Sequence, residues 1–417
     1  MRVLYTVLLY LIVPLALLRL FWRGFQIRDY WHRWGERFGF GTAVEQPIAV
    51  WVHAVSVGEA LAAMPLIHAL IQQHGAGQVL VTTTTPTGSA RVRAALGEQV
   101  RHVYAPYDLP GAVERLLDRM QPQRVVVMET ELWPNLFAAL KQRGIPLHIV
   151  NGRLSPRSFA GYSKVRGFAA EVLAACTGIL AQSPEDAERF RALGADPQRV
   201  HPVGNIKFDQ TLPDDQIRAG EQLRTQIGTA PVWLAASTHE GEDVQILEAH
   251  RQLLREHPGA RLILVPRHPQ RFEAVASLVE RQQLPLQRRS QWQDGSTLPD
   301  GAVLLGDSMG EMFLYLAAAD QVFVGGSLVP VGGHNVLEPA ALGRPVLHGP
   351  HMHNFEAARD LLRAAQAAVE VADAAALAAA LGRNCADPGG AQRRGRNGRE
   401  AVEANRGTLQ RILAHLQ

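Results

Sequence analysis

The hydrophobic positions fall into three regimes along the chain. Residues 3–22, VLYTVLLYLIVPLALLRLFW, are apolar apart from one charge, Arg19. Twenty helical residues at ~1.5 Å each reach ~30 Å, the thickness of a bilayer's hydrocarbon core, and Pro14 is tolerated in such a helix. From residue 47 short apolar runs alternate with amphipathic stretches. PIAVWVHA (47–54), QVLVTTTT (78–85), VRHVYAP (100–106), RVVVMET (124–130), IPLHIV (145–150), GILAQS (178–183) and RVHPVG (199–204) predict a first series of strands. PVWLAAS (231–237), ARLILVPR (260–267), AVLLGD (302–307), QVFVGG (321–326), PVLHG (345–349) and AAVEVA (367–372) predict a second. Between them, residues 209–230 are polar and carry no strand signal, which predicts an inter-domain linker. Residues 373–417 mix Ala, Arg and polar residues and predict solvent-faced terminal helices. Repeated βα units imply parallel sheets wrapped by helices. The expected architecture is therefore α/β: an anchor at 1–22, then two doubly wound domains, 23–208 and 231–417, facing across a cleft.

Composition sharpens this picture in three places. At 417 residues the chain exceeds the size at which single cores stop growing, so two domains are expected. The 42 Lys and Arg nearly balance 39 Asp and Glu, which argues against a nucleic-acid partner. The exception is residues 19–37, which hold Arg19, Arg23, Arg28, Arg33 and Arg37, the last four beyond the apolar run on its carboxyl side. By the positive-inside rule that flank keeps the folded body cytoplasmic, and no small-x-small cleavage site follows. Whether the segment spans the membrane or lies in the inner leaflet stays open at this level. Cys176 and Cys385 are far apart and have no metal-ligand spacing, which favours a reducing compartment.

Candidate chemistry clusters at the predicted strand ends. GGSLVPVGGHNVLEPAALG (325–343) is a glycine-rich loop between a strand and a short helix, expected over 334–343 and ended by Gly343. Free N–H groups and a helix N-terminus suit a phosphate, with Asn335 capping the first turn and Glu338 placed for a ribose diol. The alternative is a tight turn with a capping Asn. SVGE (56–59) puts Glu59 at a helix start, where it is either a capping acid or a general base aimed at the cleft. METELWPN (128–135) brings Glu129 and Glu131 together, and GNIKFD (204–209) places Lys207 near the domain junction. VPRHPQRF (265–272) supplies Arg267 and His268; GDSMGE (306–311) supplies Ser308, Met309, Gly310 and Glu311. No H-x-x-x-H, D-x-D or C-x-x-C pattern occurs, so no metal is expected and basic side chains are left to meet a phosphate's charge.

Taken together and in order, SVGE, TTTTPTGSAR (82–91), METELWPN, GNIKFD, STHEGE (237–242), VPRHPQRF, GDSMGE and FVGGSL…GGHNVLEPA (323–340) resemble the Kdo (3-deoxy-D-manno-octulosonic acid) transferase family. The apolar N-terminus and WGERFG (34–39) extend the resemblance over nearly the whole chain. It implies a GT-B glycosyltransferase that moves Kdo from CMP-Kdo to a tetraacylated lipid A precursor at the cytoplasmic face of the inner membrane. It implies Glu59 as the base, with Glu129 and Lys207 supporting the transition state. It also implies CMP contacts from Arg267, His268, Ser308, Met309, Gly310, Glu311, Gly333, His334, Asn335 and Glu338. No cofactor beyond the donor is implied; oligomeric state, acyl preference and the number of Kdo residues added are not legible. Two other classes share parts of the pattern. A nucleotide-sugar epimerase shares the second domain but needs no anchor, and a non-catalytic binding protein needs no Glu59.

Overall fold

The computed structural model of the protein describes residues 1–209, 212–293 and 295–417. Its chain divides into two compact units: Met1–Asp209 together with Arg406–Gln417, and the intervening chain up to Asn405. Each is built on a fully parallel sheet of seven strands among the described residues. In the first, β1 (Val50–His53), β2 (Val79–Thr83), β3 (Arg101–Tyr104), β4 (Val125–Met128), β5 (Leu147–Gly152), β6 (Gly178–Ala181) and β7 (Val200–Pro202) lie in the order β3-β2-β1-β4-β5-β6-β7. All seven predicted runs of this half form strands.

The central strands read as continuous apolar runs because helices cover both faces. Side chains alternate across the sheet. Trp51 thus joins Val125, Val127 and Phe137 on one side, while Val50 and Val52 join Val126, Ala63 and Leu66 on the other.

The second sheet comprises β8 (Val232–Thr238), β9 (Arg261–Pro266), β10 (Leu286–Arg288), β11 (Val303–Leu305), β12 (Gln321–Val324), β13 (Val346–His348) and β14 (Ala368–Glu370), ordered β10-β11-β9-β8-β12-β13-β14. Six of these follow the predicted runs. The seventh, β10, was not expected, because Leu286–Arg288 is a three-residue, half-buried edge strand with no apolar run to announce it. In both sheets the order reverses beside the first strand, between β1 and β4 and between β8 and β12. Such switch points open a crevice at the strands' carboxyl ends, where ligands of this fold class bind.

Two expectations about segments change. The predicted linker includes residues 210 and 211, which lie outside the described residues, but its remainder folds as a helix, Asp214–Ile227. That helix packs on Met312–Ala318 within the second unit. A Cβ at Gly220 would sit 2.3 Å from Leu314 O, so glycine permits the close approach. The carboxyl-terminal helices are not simply solvent-faced: Ala374–Ala386 buries Leu377 and Leu381. The last helix, Thr408–His415, returns to the first unit, where Ile412 and Leu416 join the core. Asp209 accepts from the Gly407 N–H and holds that return at the unit's boundary.

The apolar N-terminus is the helix Arg2–Gly24, the one described helix long and apolar enough to cross a membrane. One stripe of it is docked. Val13 is buried with Leu109 and Ala112, and Leu9 and Leu17 pack beside them. Tyr5 donates to Asp108 Oδ2 at 3.0 Å. Leu4, Leu8, Leu11, Leu15, Leu18 and Trp22 remain exposed.

Candidate active site

At the first unit's switch point, the loop after β1 enters the helix Val57–His74. Ser56 caps it, accepting from the Glu59 N–H at 3.1 Å, and Glu59 Oε2 accepts from the Val55 N–H at 2.9 Å. This S-x-x-E reciprocity is close to a capping box, so the capping role is real. It does not exhaust the carboxyl group. Burial raises the Glu59 pKa to about 7, opposed by hydrogen bonds from Ser56 and Val55 and aided by the nearby Glu131 and Glu129. A carboxyl poised at neutral pH can take a proton and later release it.

Across the switch point, β4 is followed directly by Glu129, whose φ is +55°. A non-glycine residue in the left-handed region is strained and clusters at functional sites. Glu129 Oε1 lies 3.6 Å from Lys207 Nζ, so the structure brings these two predicted residues together. Glu131 is also part of the group: burial raises its pKa, and Trp133 Nε1 donates to its Oε2 at 3.0 Å. Trp133 in turn meets the buried His53 ring edge to face, with centroids 4.4 Å apart. Neither His53 nor Trp133 is flagged by spacing, since both look like core aromatics in sequence.

The second unit's switch point holds Arg267 and His268 after β9, and His334, Asn335 and Glu338 after β12. The electrostatic neighbours of His334 are Arg267, His239 and His268, which places them at one mouth. Glu338 is half-buried; burial raises its pKa, against a hydrogen bond from Asn335 and the charge of Arg267. Asn335 accepts from the Leu337 N–H at 3.1 Å, but Val336, not Asn335, stands at the N-cap position and the helix is only Leu337–Ala341. It is too short to supply the dipole expected of 334–343. Gly333, at φ +74°, has no room for a side chain, since a Cβ would lie 2.2 Å from Met352 Sδ. Ser308 and Glu311, after β11, close a network with Tyr315 and Arg289. Gly310 and Met309 stand on its exposed side, with Met309 54% accessible.

One expectation is overturned in detail. The glycine loop was expected to offer its N–H groups to a phosphate. Those of Gly326, Ser327 and Leu328 instead donate to the Glu242 carboxylate at 2.6, 2.9 and 2.9 Å. The His239 N–H adds a fourth bond at 2.9 Å. Glu242 is fully buried and templates both loops of the switch point. STHEGE displays that acid and its local partner His239, but the three distant partners, Gly326, Ser327 and Leu328, leave no mark in the sequence. The side chains gathered at this mouth are the imidazoles of His239, His268 and His334 and the Arg267 guanidinium.

Among the described residues, no group of three or more His, Cys, Asp or Glu is placed to hold a metal ion. A family model described as 3-deoxy-D-manno-octulosonic-acid transferase (kdotransferase) matches residues 32–210. The 3-deoxy-D-manno-octulosonic acid transferase of Haemophilus influenzae is 41% identical over 99% of this chain and 97% of its own length. That of Bordetella pertussis is 41% identical over 89% of each chain. Among solved structures, a UDP-GlcNAc 2-epimerase from Neisseria meningitidis bound to UDP-GlcNAc covers 88% of this chain and 99% of its own. Its TM-score is 0.56 at 13% identity, a likeness of fold alone.

Proposed function

This chain belongs to the 3-deoxy-D-manno-octulosonic acid transferase family, and from that premise we propose that it transfers Kdo from CMP-Kdo to a lipid A precursor, lipid IVA, with inversion. Glu59 takes the proton of the acceptor's sugar hydroxyl, and the freed oxygen pair forms a bond to the anomeric carbon of Kdo. The bond from that carbon to the CMP phosphate oxygen breaks, and its electron pair leaves with CMP. The observation that carries this reading is the Glu59 carboxyl, held at about 7 by burial at a switch point. A positioned base contributes roughly 10²–10⁴-fold. Lys207, steered by Glu129 at 3.6 Å, supplies positive charge as negative charge develops.

The donor is assigned to the second unit. Arg267 and His268 meet its anionic groups, with His334, Asn335, Glu338 and Gly333 forming the wall. The loop Ser308, Met309, Gly310 and Glu311 completes that wall. No divalent metal is assigned a role; the phosphate charge is assigned to the Arg267 guanidinium and the imidazoles beside it.

The helix Arg2–Gly24 is assigned to the inner membrane. Contacts with the fold from Tyr5 to Leu17 favour a helix lying in one leaflet, its exposed leucines in lipid and its arginine flank on anionic headgroups at the cytoplasmic face. Release of CMP from CMP-Kdo, measured with and without lipid IVA, tests the function. Acceptor-dependent release is the expected result. Release of a free sugar without acceptor contradicts transfer, and absence of turnover with both substrates present contradicts the assignment.

A further inference from the structure

At the donor mouth, His334, already placed in the wall, is paired with His239, to which the proposed reaction gives no role. His239 Nε2 and His334 Nε2 lie 2.8 Å apart, in rings inclined by only 12° with centroids 5.0 Å apart. At that separation two nitrogen lone pairs repel, so one proton must lie between them: one ring donates and the other accepts. The rings are therefore bonded edge to edge. They come from opposite sides of the switch point, His239 after β8 and His334 after β12.

The pair is held in place from behind. Glu242 anchors the His239 and Gly326 backbones through its Oε2. Gly326, at φ +68°, packs over the pair; a Cβ there would lie 3.2 Å from His334 Cδ2 and 3.4 Å from His239 Cδ2. A side chain there would crowd both rings by a few tenths of an ångström on a backbone that favours glycine.

The groups facing the pair are mostly cationic. His239 faces Glu242, His268, Arg271 and Arg267, and His334 faces Arg267 and His268. Glu242 is engaged by four N–H groups, and Arg271 is paired with Asp243. Burial lowers both pKa values, that of His334 to about 3; Glu242 opposes the shift at His239, while Arg267 and His268 add to it at both rings. The 2.8 Å contact itself requires one proton between the two nitrogens and leaves a lone pair on one of them. An anion set beside Arg267 and His268 reverses the field, and a second proton then gives an N–H⁺···N bond whose charge is spread over two rings.

We propose that His239 and His334 act as a proton-sharing pair that takes up one proton when the phosphate of a cytidine nucleotide binds. The inference rests on the second unit holding the nucleotide, and it adds His239 to the donor site with a stated role. It also links affinity to pH: where one full proton is taken up, binding weakens about tenfold per pH unit.

The test is calorimetry of CMP binding to the full-length protein at pH 7.5, in two buffers of different ionisation enthalpy. Free CMP is mostly dianionic there, since phosphate monoesters lose their second proton near ~6. The expected result is uptake of most of one proton per CMP bound, none with cytidine, and loss of the uptake in His239→Asn and His334→Asn. CMP binding without proton uptake by the wild type overturns the proposal and leaves the nucleotide site standing. Uptake that persists in both folded variants overturns it too, by assigning the proton elsewhere. Failure of the wild type to bind CMP removes the nucleotide site and this pair's role together.

Discussion

Two carboxylates, one in each unit, show how burial alone does not fix a role. Glu242 is fully buried and saturated by four backbone N–H groups, which leaves it no capacity for chemistry and makes it a template. Each orphaned buried donor costs about 1–3 kcal/mol, so Glu242→Ala is expected to lose at least ~4 kcal/mol. Its thermal unfolding should begin well below that of the wild type; an unchanged transition would show that the loop finds other partners. Glu59 keeps capacity, with one oxygen on the Val55 N–H and a pKa lifted from 4.5 to about 7. The folded chain holds that proton more tightly than the unfolded one. This group therefore favours folding most below pH 4.5, and its contribution is lost as pH rises through 7. The difference is about 3 kcal/mol at most. Glu59→Gln keeps the cap and is expected to be more stable than wild type at pH 8 but not at pH 4.5, by denaturant unfolding at both. The opposite order would contradict the raised pKa.

At the level of elements, the strands were legible because a buried parallel strand is a short apolar run between turn residues. Thirteen such runs became strands, and only the edge strand Leu286–Arg288 had none. Glu59, Glu129 and Arg267 were legible as polar residues at strand ends and Lys207 as a cation near the domain junction, whereas His334 came only with the family resemblance. What sequence withheld was pairing over distance: Glu242 to the glycine loop, His239 to His334, Trp133 to His53. The same limit hid the last helix, whose Ile412 and Leu416 look like any amphipathic spacing until they enter the first unit's core. Removing residues 406–417 is accordingly expected to destabilise the first unit, because Asp209 loses the Gly407 N–H and two core side chains go. Hydrogen exchange should quicken in β1 and in the helix Val57–His74; exchange confined to the second unit would contradict this. Removing residues 1–22 should abolish vesicle binding, yet leave a cooperative transition weakened by roughly 1–3 kcal/mol, since Asp108 loses Tyr5 but keeps the Asn135 and Leu136 N–H groups. Loss of the transition altogether would make the helix a core element.

On the scale of the whole molecule, each unit contributes one half of the proposed reaction, the first its base and the second its nucleotide site. With the phosphate charge assigned to guanidinium and imidazole groups, transfer is expected to survive EDTA at full rate; a loss restored by Mg²⁺ would show that a metal carries that charge. The most direct test of the central claim is Glu59→Gln, assayed for Kdo transfer to lipid IVA and, by calorimetry, for CMP affinity. Gln keeps the size and the capping bonds but cannot accept the hydroxyl proton. A fall in turnover of at least ~10²-fold with CMP affinity nearly unchanged is the predicted result. Turnover close to wild type would remove Glu59 from the proton's path and contradict the proposed chemistry.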